Sequence, residues 1–248
     1  MKKFKAVKLI TCFAMALSVL ALSGCVRNSD KVLKMATNAE FPPYEYYDGE
    51  EIVGIDVEFA KAIAADMGYK LEIIDMDFGS IISAVQSGKA DIAVAAMSVT
   101  EEKLQQINFS DTYATASQLI IVPEDSTISS VPDLTGKRIG VQIFTTGDVY
   151  AGDIEDATIE RFNKGYEAID ALKDGRVDAV VIDSEPAKVF AEENEGLKII
   201  DEPLTEEEYA VGVAKENTKL LNSINKSIQK LKDSGELDKI KAKYINAD

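Results

Sequence analysis

The sequence predicts an α/β protein. Apolar runs of strand length alternate with segments in which apolar residues recur at helical spacing, as Ile55, Phe59 and Ile63 do. Such alternation is typical of parallel β–α–β units, in which each helix connects two neighbouring strands. Of the 248 residues, 46% are hydrophobic, which is enough to bury a substantial core.

An internal repeat predicts two similar lobes. Residues 84–94 (AVQSGKADIAV) are echoed 87 positions later by residues 171–181 (ALKDGRVDAVV). In each copy a helix ends at a glycine, a basic residue and an aspartate form the turn, and an apolar strand follows. The same offset places Ala96 opposite Asp183, each just beyond its strand. Ligands of open α/β sheets bind at the carboxyl ends of strands, so we expect both positions to face one cleft.

The elements of the first lobe follow from local patterns. Val32 begins an apolar strand, two prolines keep the next segment out of regular structure, and Gly68 and Gly88 follow two helices as stop signals. The predicted elements are strand 32–37, loop 38–44, helix 55–67, strand 71–74, helix 80–87 and strand 91–95.

The second lobe repeats this order, and the chain then returns to the first lobe. Its predicted elements are strand 138–142, a turn at 144–148 that opens a helix, strand 157–162, helix 166–174, strand 179–183 and helix 185–193. A strand from Tyr209, an amphipathic helix over 220–231 and a short helix at 237–244 complete the chain. We therefore assign residues 32–116 and 209–248 to lobe 1 and 117–208 to lobe 2, with each sheet mostly parallel and two strands forming the hinge.

The N-terminal segment predicts export and a lipid anchor. Residues 1–24 contain four lysines among the first eight residues and continue as a short apolar run, which is the pattern of a signal peptide. The sequence Leu22-Ser23-Gly24-Cys25 resembles the bacterial lipobox, which implies cleavage before Cys25 and acylation of that cysteine, for example with palmitate. Residues 25–31 would form the tether. The alternative is an ordinary signal peptide followed by a chance cysteine.

Composition excludes several classes of function. Loss of residues 1–24 removes four lysines and no acids, which changes the net charge from −16 to −20 and argues against nucleic acid as a partner. The chain has no histidine, which excludes histidine-based catalysis and the usual zinc sites. Cys12 would leave with the signal peptide and Cys25 would be acylated, so no disulfide is expected. We predict no catalytic residue, no metal and no cofactor.

Two turns are predicted anion sites. The turn at 95–103 offers the hydroxyls of Ser98 and Thr100, helix-start amides and the ammonium of Lys103. The alternative interpretation is a capping box, because Glu101 follows Ser98 by three residues. The segment Thr145-Thr146-Gly147 is a second potential anion nest.

Four segments resemble one family in its characteristic order. They are NAEFPPYEYYDGEEIVGIDVEFAKAIAADMG, AVQSGKADIAVAAMSVTEEKLQQINFSDTYA, VPDLTGKRIGVQ and ALKDGRVDAVVIDSEPA. Together they are similar to the extracellular amino-acid binding proteins of ABC importers, the polar amino-acid family. The resemblance implies a periplasmic-binding-protein (Venus-flytrap) fold that closes on a free amino acid and delivers it to a membrane permease. It also implies a monomer, lipid-anchored on the outer face of a Gram-positive membrane, or periplasmic in a Gram-negative cell.

The resemblance implies that Asp183 binds the ligand's α-ammonium, helped by the carbonyl of Ala96 and the hydroxyl of Ser98. In the alternative interpretation, Asp183 caps the helix that follows it.

On the carboxylate side the resemblance implies Thr100, Thr146 and Lys103. The family has Arg at position 103 and usually Gly at the position of Phe144. Lysine offers a single ammonium in place of a bidentate fork, and the phenylalanine is expected to add bulk near the ligand carboxylate. Alternatively, Lys103 is a solvated helix lysine.

The resemblance implies that Phe41 and Phe78 sandwich the ligand's side chain and that Asn38 and Gln142 line its pocket. The alternatives are ordinary core phenylalanines and surface amides. Two amides predict an uncharged polar ligand, with glutamine the first choice, since a buried charge would need a partner. Glu40 beside the cleft leaves a basic ligand open.

Two other functions stay open at this stage. A dehydratase-like enzyme acting on an amino-acid precursor would need a cleft carboxylate, and Asp183 and Glu40 are the two that the sequence offers. A ligand sensor for a separate signalling partner is the other alternative.

Overall fold

The computed structural model describes residues 31–245. The predicted signal peptide, lipobox, Cys25 and all but the last residue of the tether lie outside the described residues. The strands are β1 Val32–Thr37, β2 Glu40–Phe41, β3 Glu45–Asp48, β4 Glu51–Val53, β5 Lys70–Asp75, β6 Ile92–Ala93, β7 Asn108–Ala116, β8 Gln118–Pro123, β9 Arg138–Gln142, β10 Thr158–Phe162, β11 Ala179–Asp183, β12 Leu197–Ile200 and β13 Glu207–Val213. The helices are α1 Ile55–Asp66, α2 Ile81–Gln86, α3 Glu101–Gln106, α4 Thr146–Gly152, α5 Gly165–Lys173, α6 Ser184–Glu193, α7 Thr218–Asp233 and α8 Glu236–Ala242.

These elements form two five-stranded sheets, which confirms the predicted two-lobed α/β architecture. The first sheet has the strand order β5-β1-β6-β13-β7 and the second has the order β10-β9-β11-β8-β12. Helices cover the sheets with apolar side chains. On α1, for example, Ile55, Phe59 and Ile63 are fully buried, and α5 contributes Ala168 and Leu172 to the same apolar cluster.

Each sheet is mixed, because one strand runs against the other four. In the first sheet β13 is antiparallel to both of its neighbours, and in the second sheet β8 is. Both are strands by which the chain enters a lobe, whereas β7 and β12, by which it leaves, run with the parallel strands. The chain leaves one sheet at the carboxyl ends of its parallel strands and enters the other sheet at the same edge. The entering strand must therefore run antiparallel to the other strands of its sheet. The two crossings therefore lie at the edge where ligands of α/β sheets bind.

The repeat seen in the sequence is also a structural repeat. The Asp91 carboxylate accepts the backbone N–H of Lys34 at 2.8 Å, and the Asp178 carboxylate accepts that of Arg138 at 2.9 Å. In each lobe the aspartate before one central strand thus binds the start or near-start of the neighbouring strand, and the two aspartates are related by the same offset of 87 positions. The repeated turns hold the parallel strands in equivalent registers.

Local differences from the predicted elements occur before the first helix and at the central strand. Residues 45–53 form the hairpin of β3 and β4, which its acidic and aromatic sequence does not predict, and the predicted loop 38–44 contains β2 and a cis peptide bond between Pro42 and Pro43. β6 spans two residues in place of the predicted five. It ends early because Ala96 has a φ of 45°, which turns the chain out of the strand.

Gly54 supports the loop that leads to α1. Its φ of 123° and ψ of 179° lie in a region that is essentially restricted to glycine. A Cβ here would lie 2.1 Å from the Tyr44 carbonyl oxygen, which accepts the N–H of Asp56 at 2.9 Å. Any larger residue would therefore separate the loop from the helix start.

We expect Gly54→Ala to lower the free energy of unfolding by more than about 3 kcal/mol, because backbone strain and a backbone clash add together. The matched control is Gly88→Ala, whose site also has a positive φ, of 72°, but no atom within 4 Å of the added Cβ. This control should lose only about 1–2 kcal/mol. Urea denaturation measures both values, and equal losses would contradict the assignment.

Candidate functional site

A small pocket is lined by residues from both lobes. It lies where the strands of both sheets end, which is the edge at which ligands of α/β sheets bind. Ten of the eleven predicted ligand-binding residues line it, namely Asn38, Phe41, Phe78, Ala96, Ser98, Lys103, Gln142, Thr145, Thr146 and Asp183. Glu45 and Ala95, which were not predicted, complete the lining. Thr100 instead lines the neighbouring pocket, together with Phe144.

The turn after β6 is shaped by hydrogen bonds of its own residues. Thr100 is the N-cap of α3, and its side chain accepts the N–H of Lys103 at 3.2 Å. Ser98 does not cap this helix, because its hydroxyl donates to the carboxylate of Glu207. The capping-box interpretation of Ser98 is therefore wrong, and its side chain is directed to the pocket region.

Lys103 is buried, although it lies on a short helix. Its Nζ donates to the Ser98 carbonyl at 3.2 Å and lies 5.9 Å from the centroid of the Phe78 ring. Burial lowers the pKa of Lys103, and the negative charges of Glu207 and Asp183 oppose that shift. The interpretation of Lys103 as a solvated helix lysine is therefore wrong, and the pocket contains a cation.

Asp183 ends β11 and occupies the N-cap position of α6, but its side chain makes no capping hydrogen bond. Its carboxylate accepts the hydroxyl of Tyr209 instead. Burial, followed by the charge of Glu207, raises the pKa of Asp183 to about 6. The helix-cap interpretation is therefore wrong, and this carboxylate is a buried acceptor in the pocket wall.

Glu45 and Asp56 form a buried acidic pair that the sequence did not reveal. Asp56 accepts the N–H of Ala96 at 2.7 Å and the hydroxyl of Tyr113 at 2.8 Å. Burial raises the pKa of Asp56 to about 6 and that of Glu45 well above its usual range, and the two carboxyl groups share a hydrogen bond. Both shifts favour a protonated carboxyl group in this pair, and Asp56 in turn holds the strained backbone of Ala96.

Glu207 is the other acidic residue that was missed. One of its carboxylate oxygens, Oε2, accepts hydroxyls from both Ser98 and Thr146, the latter at 2.7 Å. Gln118 donates to the Thr146 oxygen at 3.1 Å. The sequence runs through three consecutive glutamates here, but alternation from the buried Tyr209 places Glu207 on the inner face, a signal that could have identified it.

One end of the pocket is built from two amides, Asn38 and Gln142. Gln142 Nε2 donates to Asn38 Oδ1 at 3.0 Å and to the Asn163 carbonyl at 3.1 Å, and Asn38 Nδ2 donates to the Met76 carbonyl at 3.1 Å. Because both N–H bonds of Gln142 are used, the group it can offer a ligand is its Oε1 oxygen. This end of the pocket therefore favours ligand groups that donate hydrogen bonds.

Two further contacts cross between the lobes at the rim. Lys164 forms an ion pair with Glu40, so this glutamate does not remain available as a free charge for a basic ligand. Phe144 packs on Gly79, where an added Cβ would lie 2.4 Å from its ring. The expected bulk of Phe144 beside the ligand carboxylate is thus placed at the rim, outside the lining of the main pocket.

Residues 31–245 contain neither a candidate metal site nor a candidate membrane-spanning helix. In this part of the chain no group of three or more acidic, histidine or cysteine side chains is arranged to hold a metal ion. The helices over the same range include none that is both long and apolar enough to span a membrane.

Replacing Glu45 with Gln should change how stability depends on pH. The folded-state pKa of Glu45 lies above its unfolded-state value, so between those values the folded state binds more protons and stability falls as pH rises. Glutamine keeps the shape and an N–H donor but does not ionise. The Tm of Glu45→Gln relative to wild type should therefore rise between pH 5 and pH 8.

Thermal melts at several pH values measure this difference. Glu51→Gln, at an exposed position of the same hairpin, is the control and should follow wild type. Parallel curves for Glu45→Gln and wild type would show that Glu45 does not carry a shifted proton.

Comparisons with known proteins agree with this architecture. The family described as "Bacterial extracellular solute-binding proteins, family 3" matches residues 33–247. The arginine-binding extracellular protein ArtP of Bacillus subtilis (strain 168) is 33% identical over 254 residues, covering 100% of both chains. Two structures of an ancestral arginine-binding protein, bound to arginine or to glutamine, are each 40% identical, cover 87% of this chain and 98% of theirs, and have TM-scores of 0.84 and 0.82. The chain belongs to the bacterial extracellular solute-binding proteins of family 3.

Proposed function

We propose that this chain captures a free amino acid in the pocket between its lobes and delivers it to the permease of an ABC importer. The observation that carries the proposal is the pocket itself, where a buried carboxylate (Asp183) and a buried ammonium (Lys103) line one small cavity. A zwitterion presents an ammonium and a carboxylate, and each would find a partner of opposite charge there. The names of the relatives support the same class of ligand.

We assign the ligand's α-ammonium to Asp183 and its α-carboxylate to Lys103. Asp183 is an acceptor at the end of β11, and the Ala96 backbone, held by Asp56, lines the same wall. Thr100 and Thr145 are occupied as helix caps, so their hydroxyl oxygens already accept backbone N–H groups. Phe41 and Phe78 supply apolar surface for the ligand's side chain.

The ligand's side chain is proposed to be polar and uncharged, with glutamine the first choice. The amides of Asn38 and Gln142 bring neutral groups to this end of the pocket, and the free oxygen of Gln142 suits an N–H donor. Glutamate, which has the same shape but only acceptors, would bind poorly. A structural relative, the ancestral arginine-binding protein, was solved with glutamine bound.

Arginine is the second candidate, favoured by the acidity of the pocket. Glu45 adds a carboxyl group to the lining, and the negative charges of Asp183 and Glu207 act on a single lysine, Lys103. A guanidinium would donate to these oxygens and reduce the excess of negative charge. An ancestral arginine-binding protein was also solved with arginine bound, so structural relatives of this chain include complexes with both ligands.

We propose that the captured ligand is bound and released unchanged, and that the chain does not catalyse a reaction on it. Calorimetry with glutamine, arginine, histidine and glutamate identifies the ligand, and chromatography of the mixture then shows whether it returns unchanged. Recovery of a chemically altered molecule would favour the dehydratase-like alternative. Failure to bind any of the amino acids would contradict the proposal.

Asp183→Asn should weaken binding of the identified amino acid by about 2–5 kcal/mol, which raises Kd by about 30-fold or more. Asparagine keeps the shape but removes the charge that pairs with the ammonium. The matched control is Asp174→Asn, whose side chain is 68% exposed in the same lobe. Titration calorimetry compares the three proteins, and tight binding by Asp183→Asn would show that another group holds the ammonium.

We also propose that the mature protein is a monomer anchored by lipid on Cys25 at the outer face of the cell membrane, as expected for a Gram-positive cell. The lipobox-like residues Leu22 to Cys25 support this location. The lipid would keep the captured amino acid near the permease.

Cys25→Ala should release the protein from membranes, because the proposed lipid on Cys25 would supply the hydrophobic area that holds the folded domain at a bilayer. Ultracentrifugation of cell fractions measures the distribution of the protein. If the variant still sediments with membranes after its signal peptide has been removed, lipid on Cys25 is not the anchor.

A further inference from the structure

We propose that Glu207 determines the charge preference of the pocket. Its carboxylate accepts hydrogen bonds from the hydroxyls of Ser98 and Thr146, so both hydroxyl oxygens can act toward a ligand only as acceptors. The inference rests on the proposed function, since it concerns how an amino acid is selected in the same pocket. Glu207 is not itself a lining residue, so it would act through the two hydroxyls and through its charge.

The geometry brings three separate parts of the chain together. Ser98 follows β6 in the first lobe, Thr146 begins α4 in the second, and Glu207 begins the hinge strand β13. Both hydroxyls donate to the same oxygen, Oε2 of Glu207, and all three residues are buried. One carboxylate therefore orients a hydroxyl from each lobe when the lobes are closed.

A count of protons gives the polarity of the site. A hydroxyl has one proton to donate, and a carboxylate can only accept. The Thr146 hydroxyl accepts a hydrogen bond from Gln118 and donates one to Glu207, so one lone pair of its oxygen remains free. The Ser98 hydroxyl likewise donates its hydrogen bond to Glu207. Neither hydroxyl has a proton left for a ligand carboxylate.

This proposed polarity differs from the carboxylate-side role that the family resemblance implies for Thr146. In the described geometry Thr146 would accept from the ligand, so it belongs on the ammonium side, and the carboxylate would be left to Lys103. The negative charges of Glu207 and Asp183 both act on Lys103, and Glu207 also acts on Asp183. The pocket should therefore reject a ligand with a net negative charge and tolerate one with a net positive charge.

The test compares three ligands that differ in net charge. Glutamate, glutamine and arginine are titrated into wild type, Glu207→Gln and Glu208→Gln by calorimetry. Glu208 is adjacent but exposed, so its variant removes one charge without touching the hydroxyls. We expect wild type to bind glutamate at least 100-fold more weakly than glutamine. In Glu207→Gln that ratio should fall at least tenfold and any preference for arginine should decrease, whereas Glu208→Gln should keep both ratios.

A second readout separates charge selection from a merely structural role. Because burial and Glu207 raise the pKa of Asp183, binding by wild type should weaken as pH falls through about 6. In Glu207→Gln this weakening should begin at a lower pH. The groups that face Asp183 are Glu207 and Tyr209 on β13, Lys103 on α3, Gln118 on β8, and Tyr44 and Glu45 before and on β3.

The outcomes distinguish the two proposals. If wild type binds none of the amino acids, the proposed function fails and this inference fails with it. If wild type binds glutamine but binds glutamate equally well, the inference is overturned without any variant, even if Glu207→Gln does not fold. If Glu207→Gln folds, as thermal melts show, and keeps the wild-type ratios and pH dependence, Glu207 is structural and the proposed function stands.

Discussion

Burial of acidic side chains around one lysine is the constraint on which the pocket depends. Glu45, Asp56, Asp183 and Glu207 are all buried in or behind the pocket wall, and unpaired charges in such a place are costly. The molecule meets this constraint by pairing Glu45 with Asp56 and by directing hydroxyls at Asp183 and Glu207. Those arrangements determine the polarity of the hydroxyls of Ser98 and Thr146 that line the pocket.

Elements that depend on local pattern could be predicted from the sequence. The helix α1, the strand β11 and the turn containing Gly175 are specified by residues close together in the chain, and the repeat then placed Asp183 opposite Ala96. Ten of the eleven predicted ligand-binding residues line one pocket for the same reason, since most lie at the end of a strand or in the segment that follows it. Their roles toward a ligand remain predictions.

Groups that depend on contacts between distant residues could not be predicted. Ser98 and Glu207 are 109 positions apart, and Thr146 and Glu207 are 61 apart, so no local pattern connects them. Glu45 lies in a hairpin of acidic and aromatic residues that resembles a surface segment, yet tertiary packing buries it completely. The sequence before α3 also offers two hydroxyls, Ser98 and Thr100, as possible N-caps. In the structure Thr100 is the N-cap.

The reversed direction of β8 and β13 has a consequence for how such proteins can diversify. Since both crossings lie at the carboxyl edge of the sheets, the residues that line the pocket come mainly from strand ends and the short connections after them, while the strands themselves form the hydrophobic interior. Substitutions in those connections can therefore alter which nutrient is recognised with little effect on the interior packing. Within such a family, ligand specificity can therefore evolve while the fold stays the same.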